Sequence, residues 1–128
     1  MNVVRPARRD FCAVILLAVA ASLLIVTPAA AHAVLLESSP ALKSAVSGPN
    51  IPIKLRFNVR IDALRSRLTL IHPDGSSQSL EISKQTPADS LLAEATGLAP
   101  GEYRLRWQVL ASDGHITRGE IPFTVTPT

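Results

Sequence analysis

Between Ile51 and Val59 the chain reads IPIKLRFNV, in which Ile51, Ile53, Leu55, Phe57 and Val59 alternate with Pro52, Lys54, Arg56 and Asn58. Successive side chains of a strand point to opposite faces, so a period of two predicts a half-buried β-strand and does not suit a helix. The same pattern recurs at Tyr103, Leu105, Trp107 and Val109, and again at Ile121, Phe123 and Val125. Leu68–Ile71 reads as a further short strand stopped by the turn chemistry of Pro73, Asp74 and Gly75. Val34–Leu36, Leu80–Ile82 and Leu91–Ala95 bring the number of predicted strands to about seven, and Leu98–Glu102 reads as a turn. Ala41–Val46 has room for one helical turn and no more. Short strands at regular spacing with no convincing helix predict an all-β fold, a Greek-key sandwich or barrel. The alternating apolar residues form its core, with Trp107 near the centre.

The first thirty-one residues are of another kind. Arg5, Arg8 and Arg9 precede the apolar run Phe11–Val26, followed by Thr27, Pro28 and a string of small alanines. Basic, apolar and small-residue regions in that order predict a helical secretory signal peptide over residues 1–31. The run is shorter than the roughly 20 apolar residues of a membrane span, which disfavours an uncleaved anchor. Arg8-Arg9-Asp10-Phe11 also resembles a twin-arginine export signal, and an ordinary basic leader fits equally well. Cleavage after Ala31 satisfies the small-residue rule and makes His32 the first residue of a domain spanning 32–128; cleavage after Ala33 satisfies it too and removes that histidine. The domain, about 97 residues, is long enough to bury roughly two-thirds of its unfolded surface without disulfides.

Composition narrows the chemistry. The net charge is +3, of which the leader's three arginines and Asp10 supply +2, leaving little basis for nucleic-acid binding. The single cysteine, Cys12, lies in the leader, so disulfides, thiolate zinc sites and cysteine catalysis are excluded downstream. No nucleophile elbow, P-loop, dinucleotide-binding glycine pattern or H-E-x-x-H is present, and Ser112 beside Asp113 and His115 does not make a hydrolytic set. Arg56, Arg60, Arg65 and Arg67 read as a solvated basic strand face, and the last three also lie where an acidic partner would dock.

Any metal must therefore be held by histidine and carboxylate. The three histidines are His32, His72 and His115. His72 precedes Pro73 in a turn and is expected to face water. Asp113 and His115 stand two apart around Gly114, between the strand holding Trp107 and the last strand, and at that spacing both side chains reach one side of an extended backbone. Alone, D-x-H is a weak signal. If His32 is the mature N-terminus, it offers an α-amine and an imidazole to one ion, and Asp113 and His115 complete a set of three nitrogens and one oxygen. Such a set suits tetragonal Cu(II), which also stands highest in the divalent affinity order. The mature chain has no Met and no Cys, hence no soft ligand for Cu(I).

The segments HAVLLESSPA, LRFNVRIDA, LAPGEYRLRWQVLASDGH and IPFTV together resemble the bacterial periplasmic copper-binding proteins of the CopC family. The resemblance implies a seven-stranded Greek-key barrel, cupredoxin-like or immunoglobulin-like in outline. It also implies a single Cu(II) bound by His32, Asp113 and His115, a role in copper resistance or uptake without catalysis, and a CopD-like inner-membrane copper transporter as partner. Two departures stand out. The methionine-rich segment of some members is missing, and Val59-Arg60 stands where many relatives have Glu-Pro, so that either an acidic contact near the metal is absent or Asp62 or Glu37 replaces it. Two further readings stand beside this one: a polysaccharide-cleaving copper oxygenase with an N-terminal histidine, and a metal-free secreted sandwich module. The first needs exposed aromatics, whereas Phe57, Tyr103, Trp107 and Phe123 all fall on apolar strand positions; the second follows if cleavage removes His32.

Overall fold

In a computed structural model of the chain, which describes residues 32–84 and 86–128, eight strands are found: β1 (Leu35–Ser39), β2 (Ser44–Ser47), β3 (Ile51–Phe57), β4 (Ile61–Ile71), β5 (Ser77–Leu80), β6 (Ser90–Ala95), β7 (Gly101–Ala111) and β8 (Ile116–Thr126). The predicted signal-peptide helix lies outside the described residues. The strands form two sheets, β1-β3-β6 and β2-β8-β7-β4-β5. All pairings are antiparallel except β2 with β8.

The alternation seen in the sequence becomes the two faces of each sheet. Ile51, Ile53, Leu55 and Phe57 of β3 are buried, as are Tyr103, Leu105, Trp107 and Val109 of β7 and Ile121, Phe123 and Val125 of β8. They join one cluster fed by both sheets. Trp107 meets the ring of Phe57 edge-on at 5.2 Å and lies over Gly119 of the neighbouring strand, where a Cβ would stand 2.3 Å from the indole. Only a glycine leaves that space. Tyr103 stacks on Phe123 at 5.7 Å and donates its hydroxyl hydrogen to the Ala99 carbonyl, closing the turn before β7.

Several elements depart from expectation. β5 is Ser77–Leu80, drawn ahead of the predicted Leu80–Ile82 by its pairing with β4, and β8 begins at Ile116, before the alternation at Ile121, because β7 pairs with it that far. The Ala41–Val46 segment forms no helical turn. Lys43 takes a positive φ of 57°, and Ser44–Ser47 runs as a strand parallel to β8 with Val46 packed on the core. The open edge of β8 offers four residues more hydrogen bonding than an isolated turn can, and this raises the strand count from seven to eight. β4 also begins seven residues before the predicted Leu68, and its pairing with β7 breaks between Asp62 and Arg67. The break is a built bulge: the Ser66 hydroxyl donates to the Asp62 carbonyl at 2.6 Å and accepts from the Leu110 N–H at 3.2 Å. Irregular pairing of this kind is set by partners across the sheet and leaves no periodic trace in sequence.

Candidate metal site

At one end of the sandwich the β7–β8 hairpin reverses through Ser112-Asp113-Gly114-His115. The Ala111 N–H donates to the His115 carbonyl and the Gly114 N–H to the Ala111 carbonyl, both at 2.9 Å. Gly114 sits at φ +89°, a conformation other residues rarely adopt. Within the turn the Asp113 carboxylate closes on its neighbour twice. Its Oδ1 accepts from the backbone N–H of His115 and its Oδ2 lies against the ring Nδ1, each at 3.0 Å. The backbone hydrogen bond from His115 is the chief reason the Asp113 carboxyl is held below its ordinary range; the imidazole adds to the effect and the nearby His32 adds least. In the tautomer this contact favours, Nδ1 carries the hydrogen and Nε2 presents its lone pair outward.

His32 arrives from the other sheet. Ala33 is buried beside it, and Val34 exchanges two hydrogen bonds with Asn58: its N–H donates to the side-chain oxygen at 2.7 Å and its carbonyl accepts the Asn58 N–H at 3.0 Å. Two residues on, the Arg60 carbonyl accepts the Ser112 N–H at 3.1 Å. The β3–β4 connection thus holds the His32 segment with one residue and the hairpin with another. As a result the rings of His32 and His115 meet edge to face with centres 5.4 Å apart. Two imidazoles on one ion, through bonds of about 2 Å, have ring centres roughly 4.5–6.3 Å apart.

The structure brings together all three residues singled out in the sequence, though not as a closed cage. Among the described residues no group of three or more His, Cys, Asp or Glu side chains is gathered in metal-holding geometry. Asp113 is turned toward His115 instead of the space between the rings. In the unprocessed chain the His32 nitrogen is also a peptide amide, not an amine. The two substitutes considered for the missing acidic contact are engaged elsewhere: Glu37 pairs with Arg56 at 2.9 Å, and Asp62 accepts the Arg65 N–H and faces its guanidinium at 3.8 Å. His72 is half-buried against Tyr103, ring centres 5.3 Å apart, with Nε2 2.8 Å from Gln78 Oε1. The residue that sequence reasoning missed is Asn58, read there only as an outward strand position. Its one signal was a carboxamide at a strand end, able to bond a neighbouring backbone from both its side chain and its main chain.

A two-sheet β-sandwich whose entering strand and last hairpin bring two histidines and an aspartate to one end defines a class of small histidine-bearing β-domains. Residues 35–126 match the CopC domain, and the chain belongs to the CopC family. Among known proteins it is similar to Protein YobA of Escherichia coli, 30% identical over 105 residues that cover 79% of this chain and 85% of that one. Among solved structures it is similar to CopC from Methylosinus trichosporium OB3b (TM-score 0.68, 31% identity, 75% of this chain and 95% of that one). It is also similar to PcoC, a methionine-rich copper resistance protein from Escherichia coli (TM-score 0.62, 28% identity, 75% and 100%).

Proposed function

We propose that the chain is a periplasmic Cu(II) carrier, exported by its leader and cleaved after Ala31. The mature protein holds one ion through the amine and ring of His32, the ring of His115 and Asp113. The observation that carries this reading is the approach of the His32 and His115 rings at a separation suited to a shared ion. Asp113 serves first as the group that sets the His115 ring, and it joins the ion by a rotation of its carboxylate. Its depressed carboxyl keeps it anionic through the neutral range. With Met1 and Cys12 both in the leader, the mature site has no soft donor and favours Cu(II) over Cu(I). A CopD-like membrane transporter is the corresponding partner, as the family suggests.

A carrier suits the molecule better than a copper oxygenase. Phe57, Tyr103, Trp107 and Phe123 are all buried, which leaves no aromatic platform for a polysaccharide among the described residues. The deciding measurements are the intact mass of the exported protein and a Cu(II) titration. A mass beginning at His32, with one ion bound per chain, supports the proposal. A mass beginning at Val34, or binding untouched in both His32→Ala and His115→Ala, overturns it. Oxidised fragments released from a polysaccharide by the copper form with reductant and oxygen would replace the carrier by the oxygenase.

A further inference from the structure

The five-stranded sheet carries Arg65, Arg67, Arg104, Arg106 and Arg118 on exposed positions against Asp62, Glu102 and Glu120. Register sets its side chains in rows that recede from the site: Asp62, Leu110 and Ile116, then Arg67, Gln108 and Arg118, then Thr69, Arg106 and Glu120. Arg106 and Arg104 share Glu120, at 3.0 and 3.4 Å. Arg118 donates to neutral Gln108 at 2.8 Å, while Arg60 and Arg67 have no acidic partner among the described residues. On the three-stranded sheet the charges balance, with Lys54 and Arg56 against Glu37 and Glu94.

Beside these arginines stands an aliphatic side chain raised into solvent. Leu64 is 88% exposed at the tip of the β4 bulge, which Ser66 and Asp62 hold in place by the hydrogen bonds described above. Arg65 next to it is also largely exposed. Ile116, immediately after His115, is 52% exposed on the same sheet. A bulge that re-aims a leucine outward does nothing for the core, and its cationic neighbours do nothing to hide it.

We propose that this face docks on an anionic bilayer surface, with Arg60, Arg67 and Arg118 on lipid phosphates and Leu64 entering the headgroup boundary. Guanidinium is weakly hydrated and matches phosphate oxygens in pairs. Apolar side chains set among cations are the composition of interfacial anchors. Arg67 and Arg118 stand on β4 and β8 and Arg60 just before β4, a scatter of single cations that fits a plane of mobile headgroups better than the fixed outline of one acidic protein. Docking in this way brings the hairpin of Asp113 and His115 alongside the membrane, and it stands whether or not that hairpin takes copper.

The test uses residues 32–128, metal-free. They contain the whole described core, and solved relatives consist almost entirely of the matched domain. The domain is expected to sediment with vesicles of phosphatidylcholine containing about one-third phosphatidylglycerol, and to be released as salt shortens the Debye length. Arg67→Gln and Arg118→Gln each weaken partition about fivefold, and Leu64→Ser weakens it about tenfold. Lys54→Gln, an equal change of net charge on the opposite sheet, leaves it unchanged. Equal sedimentation with pure phosphatidylcholine, or variants indistinguishable from wild type, overturns the proposal. So does arginine-dependent binding to soluble polyglutamate without vesicle binding, which would assign the face to an acidic protein.

Discussion

Asp113 meets His115 at two points with one carboxylate. It orients the His115 ring through Nδ1, and by accepting the His115 N–H it shapes the turn that carries the ring. Removing its charge while keeping its shape, Asp113→Asn, is expected to weaken Cu(II) binding by about 10–100-fold, the usual cost of losing an orienting partner. His32→Ala should cost more than His115→Ala, because it removes two donors instead of one. Competition titration against a chelator of known affinity ranks the three. Imidazoles and amines bind metal as free bases, so protons compete, and affinity is expected to fall between about pH 8 and about pH 5; a flat profile would exclude this donor set. At this scale the sequence shows which donors the domain has to offer, His32, Asp113 and His115 among them, because each carries its own chemistry. Asn58 was not legible, because its part depends on Val34 lying opposite.

Among the elements, β7 and the Ile121–Val125 part of β8 were read correctly because their alternation defines both faces, whereas the first half of β8, from Ile116 to Glu120, was not and is a strand through its pairing with β7. Their contact is tight at one point: Gly119→Ala would drive a methyl group into the Trp107 indole and is expected to destabilise the domain by about 1–3 kcal/mol, the range for overpacked cores. Denaturant unfolding followed by Trp107, the single tryptophan, measures it. The β4–β5 turn offers a second test. The Ser76 hydroxyl at 2.6 Å, then its backbone N–H at 2.9 Å, lower the Asp74 carboxyl below its ordinary range. A depressed carboxyl adds stability above its unfolded value, near pH 3.9, that is lost as pH falls through the folded value. Thermal midpoints should therefore drop in acid, and Asp74→Ala should lessen that drop. β2 and the early part of β4 were unreadable for a shared reason. Their backbone partners, the edge of β8 and the bulged register with β7, lie far away in the chain.

Across the whole molecule the candidate site joins two sheets. His32 leads into β1 and His115 closes the hairpin of β7 and β8, so an ion held by both ties one sheet to the other. On the proposed reading metal binds only where these groups are assembled, so Cu(II) at a hundredfold excess over its dissociation constant should stabilise the mature domain by about 2.7 kcal/mol. Thermal unfolding with and without copper reads this directly, and the shift should vanish in His32→Ala.

The amino-acid order determined by itself which side chains face inward, where the hairpin glycine falls and which donors are available, since each of these depends on spacing along a strand or on the chemistry of one residue. Only the tertiary structure decided that β3 and its following loop would hold the His32 segment and the hairpin together, that β2 would be a strand, and that Leu64 would be raised on a bulge. Those outcomes rest on hydrogen bonds and packing between residues distant in the chain, and no local pattern encodes which distant partner a backbone will find.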